Sequence, residues 1–115
     1  MTAMSERIFE LRTYVTNPGK LAALHRRFRE HTLGLFERHG MEVVGFFTPT
    51  EGPDAERTLI YLLAFPDRAT ADQAWQNFRT DPDWIKAKDE SEVDGPLMER
   101  IESQFLDPTD YSPVR

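Results

Sequence analysis

No cysteine occurs anywhere in the 115 residues, which excludes disulfides, thiolate nucleophiles and zinc–thiolate sites together. An excess of basic charge is also missing. The 14 lysines and arginines alternate with 20 aspartates and glutamates for a net charge of −6, so neither nucleic acid nor an anionic membrane surface is an expected partner. No apolar run approaches the roughly 20 residues a membrane-spanning helix needs. Residues 1–7 lack the apolar core of a signal peptide, and a cytoplasmic protein is expected. Gly-x-Ser-x-Gly, P-loop and Gly-x-Gly-x-x-Gly patterns are absent, leaving only serine or threonine as hydroxyl nucleophiles. There is no internal repeat, low-complexity tract or linker. A hydrophobic content of 39% over this length predicts one domain, 1–115, with a core of its own.

What the sequence does have is an uncharged apolar run at 58–65, Thr-Leu-Ile-Tyr-Leu-Leu-Ala-Phe, bounded by a polar stretch and by Pro66. It is too short for a membrane helix and reads as a strand. Leu59, Tyr61, Leu63 and Phe65 point one way and Thr58, Ile60, Leu62 and Ala64 the other, so both faces are apolar. One face can be covered by the chain's own helices. The other calls for a second cover, and a homodimer through the sheet face is expected.

Around this run the other elements fall into order. Residues 1–6 are polar and expected to fray, and residues 7–15 alternate as a first strand. Its Phe9, Leu11, Thr13 and Val15 share one face, and Ile8, Glu10, Arg12 and Tyr14 the other. Phe9, Leu11 and Val15 are the better match to an apolar helix stripe, which predicts that their face meets the helices. Asn17-Pro18 is expected to open a helix to about His39, with Asn17 as its cap and Gly40 as its left-handed stop. At about 100° per residue, Leu21, Leu24, Phe28, Leu35 and Phe36 form one stripe; His25, Thr32 and His39 fall inside it and His31 at its edge. A second strand at 41–48 holds Gly45, a candidate bulge or close approach, and a polar hairpin loop follows at 49–57. After the strand at 58–65, Asp67 caps a helix whose Ala71, Ala74, Trp75 and Phe78 recur at i, i+3, i+4 and i+7. A short helix from Pro82 to about Glu90 presents Trp84 and Ile85, and a fourth strand covers 97–106. The proline-containing segment 107–115 is expected to be an extended tail anchored by Tyr111.

The order βαββαβ predicts an α+β, ferredoxin-like fold: a four-stranded antiparallel sheet with helices on one face. Two such sheets packed face to face would make a dimeric α+β barrel. The sequence also resembles a known family. Glu-Leu-Arg-Thr-Tyr at 10–14, Pro-Gly-Lys at 18–20, His-Gly-Met at 39–41, the run 59–68 with its Leu-Ala-Phe-Pro, Trp75, Asp-Pro-Asp-Trp at 81–84 and Pro-Thr-Asp-Tyr-Ser-Pro at 108–113 are similar, in that order, to the NIPSNAP family. The resemblance spans nearly the whole chain and implies a dimeric ferredoxin-like barrel. Animal members are associated with mitochondria and vesicle traffic; the resemblance implies no catalytic assignment.

Three sets of side chains invite a functional reading. His25, His31 and His39 lie on one helix, but His25 and His39 are about 21 Å apart along it, His31 points away from both, and no His-x-x-x-His pair exists. No metal site and no cofactor are therefore expected, although spacing leaves open a single axial histidine to haem. The row Glu10, Arg12 and Tyr14 offers a carboxylate or enolate ligand an arginine and a phenol, with a polar barrel interior or dimer seam as the favoured alternative. Tyr61, Trp75, Phe78 and Trp84 either fill the core, the favoured reading, or line a pocket whose polar points are His25, His31 or Thr32. Related dimeric barrels bind flat organic ligands or haem in that place, and some oxidise them without metal or flavin. The expected ligand-binding set is thus Arg12, Tyr14, His31, Tyr61, Trp75 and Phe78, around a small apolar or aromatic molecule. If the protein is instead a cofactor-independent monooxygenase or isomerase, Tyr14 or Tyr61 would orient the substrate and His25 or His31 would move a proton. A purely structural interaction domain using the tail is the third reading.

Overall fold

The apolar run forms β3 (Thr58–Phe65), which sits at the centre of the sheet beside β1 (Ile8–Thr16). β2 (Glu42–Phe47) and β4 (Met98–Leu106) are the edges, in the order β2-β3-β1-β4, antiparallel throughout. The computed structural model describes residues 7–115, and the expected frayed segment 1–6 lies outside them. The first crossover is one helical rod of three pieces: α1 (Leu21–Arg27), a π turn (Phe28–Thr32) and α2 (Leu33–Arg38). The second holds α3 (Arg68–Arg79) and α4 (Pro82–Ser91). This is the expected α+β, ferredoxin-like arrangement.

Local chemistry accounts for most boundaries. Asp67 accepts the Thr70 amide at 2.7 Å and caps α3; Asp81 accepts the Asp83 amide at 2.9 Å and caps α4, with Pro82 in the first turn. Gly40, at φ 68°, ends the first rod, and the Met41 amide returns to the Phe36 carbonyl at 2.8 Å. The start of that rod departs from expectation. Asn17 does not cap it; the helix begins at Leu21, after a turn through Gly19. The exit of β1 brings Asn17 against the chain entering β4, where its amide donates to the Leu97 carbonyl at 2.8 Å and its Nδ2 to the Pro96 carbonyl at 3.0 Å. Gly45 sits where the β2–β3 register slips, and a Cβ there would lie 2.8 Å from Cζ of Phe47.

The face of β1 that meets the helices is the opposite of the expected one. Glu10, Arg12 and Tyr14 pair with Leu63, Tyr61 and Leu59 of β3 and point with them into the helix layer, while Phe9, Leu11, Thr13 and Val15 look outward beside Ala64, Leu62, Ile60 and Thr58. Side-chain bulk and hydrogen bonding decide the parity. The large Leu59, Tyr61 and Leu63 belong under the helices, register then brings Glu10 with them, and Glu10 supplies the acceptor that the buried Trp75 indole N–H requires. The core between sheet and helices includes Leu24, Phe36, Tyr61, Leu63, Phe65 and Ala71. On the outer face, Pro108, Thr109, Ser112 and Val114 of the tail border a groove of about 280 Å³ with Phe9, Leu62 and Leu106. Tyr111 is not its anchor, being 82% exposed. The Ser112 amide bonds the Thr109 carbonyl, the resulting turn throws the phenol into solvent, and Arg7 holds the chain end through its Nε and the Arg115 carbonyl at 3.0 Å.

Asp81 also joins the first rod to α4. Its Oδ2 lies 2.7 Å from His39 Nε2 and accepts from Arg38 at 2.9 Å. The His39 hydrogen bond, then the Asp83 amide and Arg38, hold its carboxyl below the usual carboxylate range. A depressed folded-state pKa adds stability above the unfolded value, near 4, that is lost as the pH falls through the lower folded value. Acid titration of urea stability should therefore fall less steeply below about pH 4 in Asp81→Asn than in the parent chain.

Candidate functional site

The inward row of β1 is a continuous hydrogen-bonded chain under the helices. Glu10, 2% exposed, accepts from Trp75 Nε1 on one oxygen at 2.7 Å, and from Arg12 Nη1 at 2.8 Å and Ser103 Oγ at 2.5 Å on the other. Three donors satisfy a carboxylate that would otherwise be costly to bury. The Arg12 guanidinium lies 4.1 Å from the centre of a Trp75 ring, and its Nε donates to Tyr14 Oη at 3.3 Å. Burial alone would lower the Arg12 pKa, but Tyr14, Tyr61 and Glu10 outweigh it and hold the guanidinium above its ordinary value.

Tyr14 Oη and Tyr61 Oη are 2.6 Å apart. Tyr61 is fully buried, and burial first, then Tyr14, push its pKa well up, so it is a neutral hydroxyl. Its proton has one acceptor among the described residues, Tyr14 Oη. Were Tyr14 to donate to Tyr61 instead, a fully buried O–H would be left unpaired. Tyr61 therefore donates, and the Tyr14 proton has no acceptor among the described residues.

That proton has somewhere to go. A cavity of about 370 Å³ lies between sheet and helices, lined among others by Arg12, Tyr14, Arg27, Trp75, Phe78 and Trp84, with the exposed Arg79, Lys88 and Ile101 marking its opening. The π turn builds one wall. The Leu33 amide reaches back to the Phe28 carbonyl, five residues earlier, and Arg27, Phe28 and Thr32 all line the cavity from this widened coil, a form frequent at functional sites. Arg27 is 5% exposed; it donates to Ser91 Oγ at 3.1 Å and stands 4.9 Å over a Trp84 ring, and its Nε has no partner among the described residues. Burial lowers its pKa, with Glu92 in partial opposition.

Of the residues anticipated from sequence, Arg12, Tyr14, Trp75 and Phe78 come together on this cavity, and Trp84 joins them. Tyr61 lies behind Tyr14 and reaches the cavity only through the shared hydrogen bond. The histidines are elsewhere. His31 is exposed beside Glu30, Ala87 and Glu90 on the outer side of the helices, and His25 borders a separate groove of about 290 Å³ with Phe47 and Leu59. Among the described residues no cluster of His, Asp and Glu is arranged to hold a metal ion. Arg27 is the participant that sequence reasoning missed. Periodicity gave little sign of it, since at about 100° per residue Arg27 falls about 120° from Leu21, outside the apolar stripe.

The NIPSNAP family model matches residues 9–113. The chain belongs to the NIPSNAP family. Among solved structures it is similar to a NIPSNAP family protein from Agrobacterium tumefaciens, at 24% identity and TM-score 0.83 over 96% of this chain and 100% of that one. An uncharacterized NIPSNAP-like domain protein from Burkholderia xenovorans is similar at 20% identity and TM-score 0.80, over 93% and 89%. A more distant likeness, 14% identical with TM-score 0.62 over 95% and 99%, is to SnoaB, a cofactor-independent oxygenase from Streptomyces nogalater. At these identities the solved structures speak for the fold alone. No curated protein matches the sequence.

In this NIPSNAP domain the Glu10–Arg12 pair should behave as a unit. Glu10→Gln leaves a buried guanidinium without its carboxylate and should cost about 3–5 kcal/mol, whereas Glu10→Leu combined with Arg12→Leu should cost clearly less than the sum of the two single changes. Urea unfolding of the parent chain and the four variants measures this, and additive losses would show that the two residues act separately.

Proposed function

We propose that this NIPSNAP domain is a homodimeric, cytoplasmic binding module that holds a small, largely aromatic or apolar molecule between its sheet and its helices. The observation that carries the reading is the cavity itself, walled by Phe28, Trp75, Phe78 and Trp84 and supplied with a few fixed polar groups, Arg12, Tyr14 and Arg27. A volume of about 370 Å³ falls at the small end of ligand pockets, which span about 300–1,000 Å³. Its two indoles are the only tryptophans of the chain. Occupancy should thus change intrinsic fluorescence and raise the melting temperature together, because a ligand at about 100 times its Kd stabilises by about 2.7 kcal/mol. A panel of single-ring and two-ring aromatic compounds that moves neither signal would count against a binding role.

The fold shared with SnoaB supports a second reading, a cofactor-independent oxygenase or isomerase acting on an aromatic substrate. That reading needs a proton-moving group beside the substrate, and no histidine lines the cavity. Tyr14 remains as an orienting phenol, so binding is the better supported of the two.

The homodimer rests on the outward face of the sheet. Leu11, Ile60 and Leu62 are only half-buried there, and Phe47 is 59% exposed. A second copy of the same face would cover them, closing two sheets into one barrel. Sedimentation should give a dimer at micromolar concentration, and Ile60→Glu should return it to a single copy without loss of helical signal. A parent chain that sediments as one copy would overturn the barrel.

A further inference from the structure

The charges around the cavity run against those of the whole chain. The molecule carries a net charge of −6, yet Arg12, Arg27, Arg79 and Lys88 all line this one space. Two carboxylates answer them. Glu10 is taken by Arg12, Trp75 and Ser103, and Glu92 by Lys88 at 2.9 Å and the Leu97 amide at 3.2 Å. Glu92 stands 3.8 Å from Arg27, too far for a hydrogen bond, and among the described residues Arg79 has no ion-pair partner. Four cations against two carboxylates leave an excess of positive charge in a space whose other walls are largely aromatic and apolar, with Arg27 only loosely paired to Glu92, and a low-dielectric surround strengthens whatever anion meets it.

The free hydrogen-bond donors agree. Arg27 Nε is buried and unpartnered on a residue that lines the cavity. Among the described residues the Tyr14 proton, released by the Tyr61 hydrogen bond, has no acceptor, and Arg12 Nη2 makes no bond. All three groups are donors, and among the described residues no lining carboxylate or histidine is left free to receive a donor from a ligand. A cation would meet the like charges of Arg12, Arg27, Arg79 and Lys88 here. An anion finds two guanidinium groups and a phenol, and the planar forks of arginine match a carboxylate.

We infer that the cavity recognises an organic carboxylate, its head group on Arg27, Arg12 and Tyr14 and its aromatic or short aliphatic body against Phe28, Trp75, Phe78 and Trp84. The inference rests on the binding role proposed above and names the chemistry of its ligand. The two fail separately in one experiment. 2-Naphthoate and its neutral counterpart 2-naphthamide are titrated against the full chain at pH 7, with tryptophan fluorescence as the readout and calorimetry as a check. Naphthoate should bind at least tenfold more tightly than the amide, and the difference should shrink as salt is raised. Arg27→Met should remove most of that preference while leaving the amide's affinity within about twofold, and Arg27→Lys should restore part of it. Equal affinity of the two probes for the parent chain overturns the carboxylate inference and leaves the binding role standing; binding of neither overturns both. The comparison on the parent chain decides the matter even if the Arg27 variants fail to fold. Arg79→Gln, at the exposed rim, supplies a further arm, with a loss of about two- to fivefold expected for naphthoate alone, and an unchanged naphthoate affinity there would remove the rim cation from the site.

Discussion

A buried carboxylate is the constraint from which the rest of this structure follows. Glu10 lies between the sheet and α3 with three donors on its two oxygens, and each donor belongs to a different element: Arg12 to β1, Trp75 to α3 and Ser103 to β4. An unpaired charge at that depth would cost more than most single residues contribute to stability. The helix layer, the central strand and an edge strand are therefore fixed to one another at a single point. What Glu10 orders in turn is Arg12, then Tyr14, then Tyr61, so the polar groups of the cavity floor arrive already oriented and need little rearrangement to meet a ligand.

The same point explains what was legible in the sequence. Element order, the cap at Asp67, the Gly40 stop and the stripe Ala71, Ala74, Trp75 and Phe78 all follow from local rules, and the structure agrees with them. The parity of β1 was not legible, because hydrophobicity counts each residue alone. Phe9, Leu11 and Val15 look like a core face until Glu10 and Arg12 are seen to neutralise each other and to satisfy Trp75. Non-local partners likewise decided Asn17, which a helix N-terminus and the carbonyls preceding β4 both compete for. Tyr111 was misread for a simpler reason: an aromatic ring in a proline-rich tail suggests an anchor, whereas a turn at 109–112 directs it outward.

The site was half visible. Arg12, Tyr14, Trp75 and Phe78 could be picked out by residue type, yet whether they meet depended on the parity just described. The histidines drew attention through their chemistry, but helix geometry distributes them over three surroundings: His25 at one groove, His31 in solvent and His39 on Asp81. Arg27 was hidden by the habit of reading arginine as surface. The π turn that follows it widens the coil, and Phe28 and Thr32 share its wall.

Alternation along β1 has a consequence for how such a chain can vary in length. Adding or removing a single residue there would exchange the two sides of the strand, sending the charged row into the outer layer and the phenylalanine side beneath the helices. β2 has more slack, since it already accommodates one surplus residue beside Gly45. Tolerated insertions and deletions belong at that rim and in the connection 48–57, and the middle of the sheet keeps a fixed count.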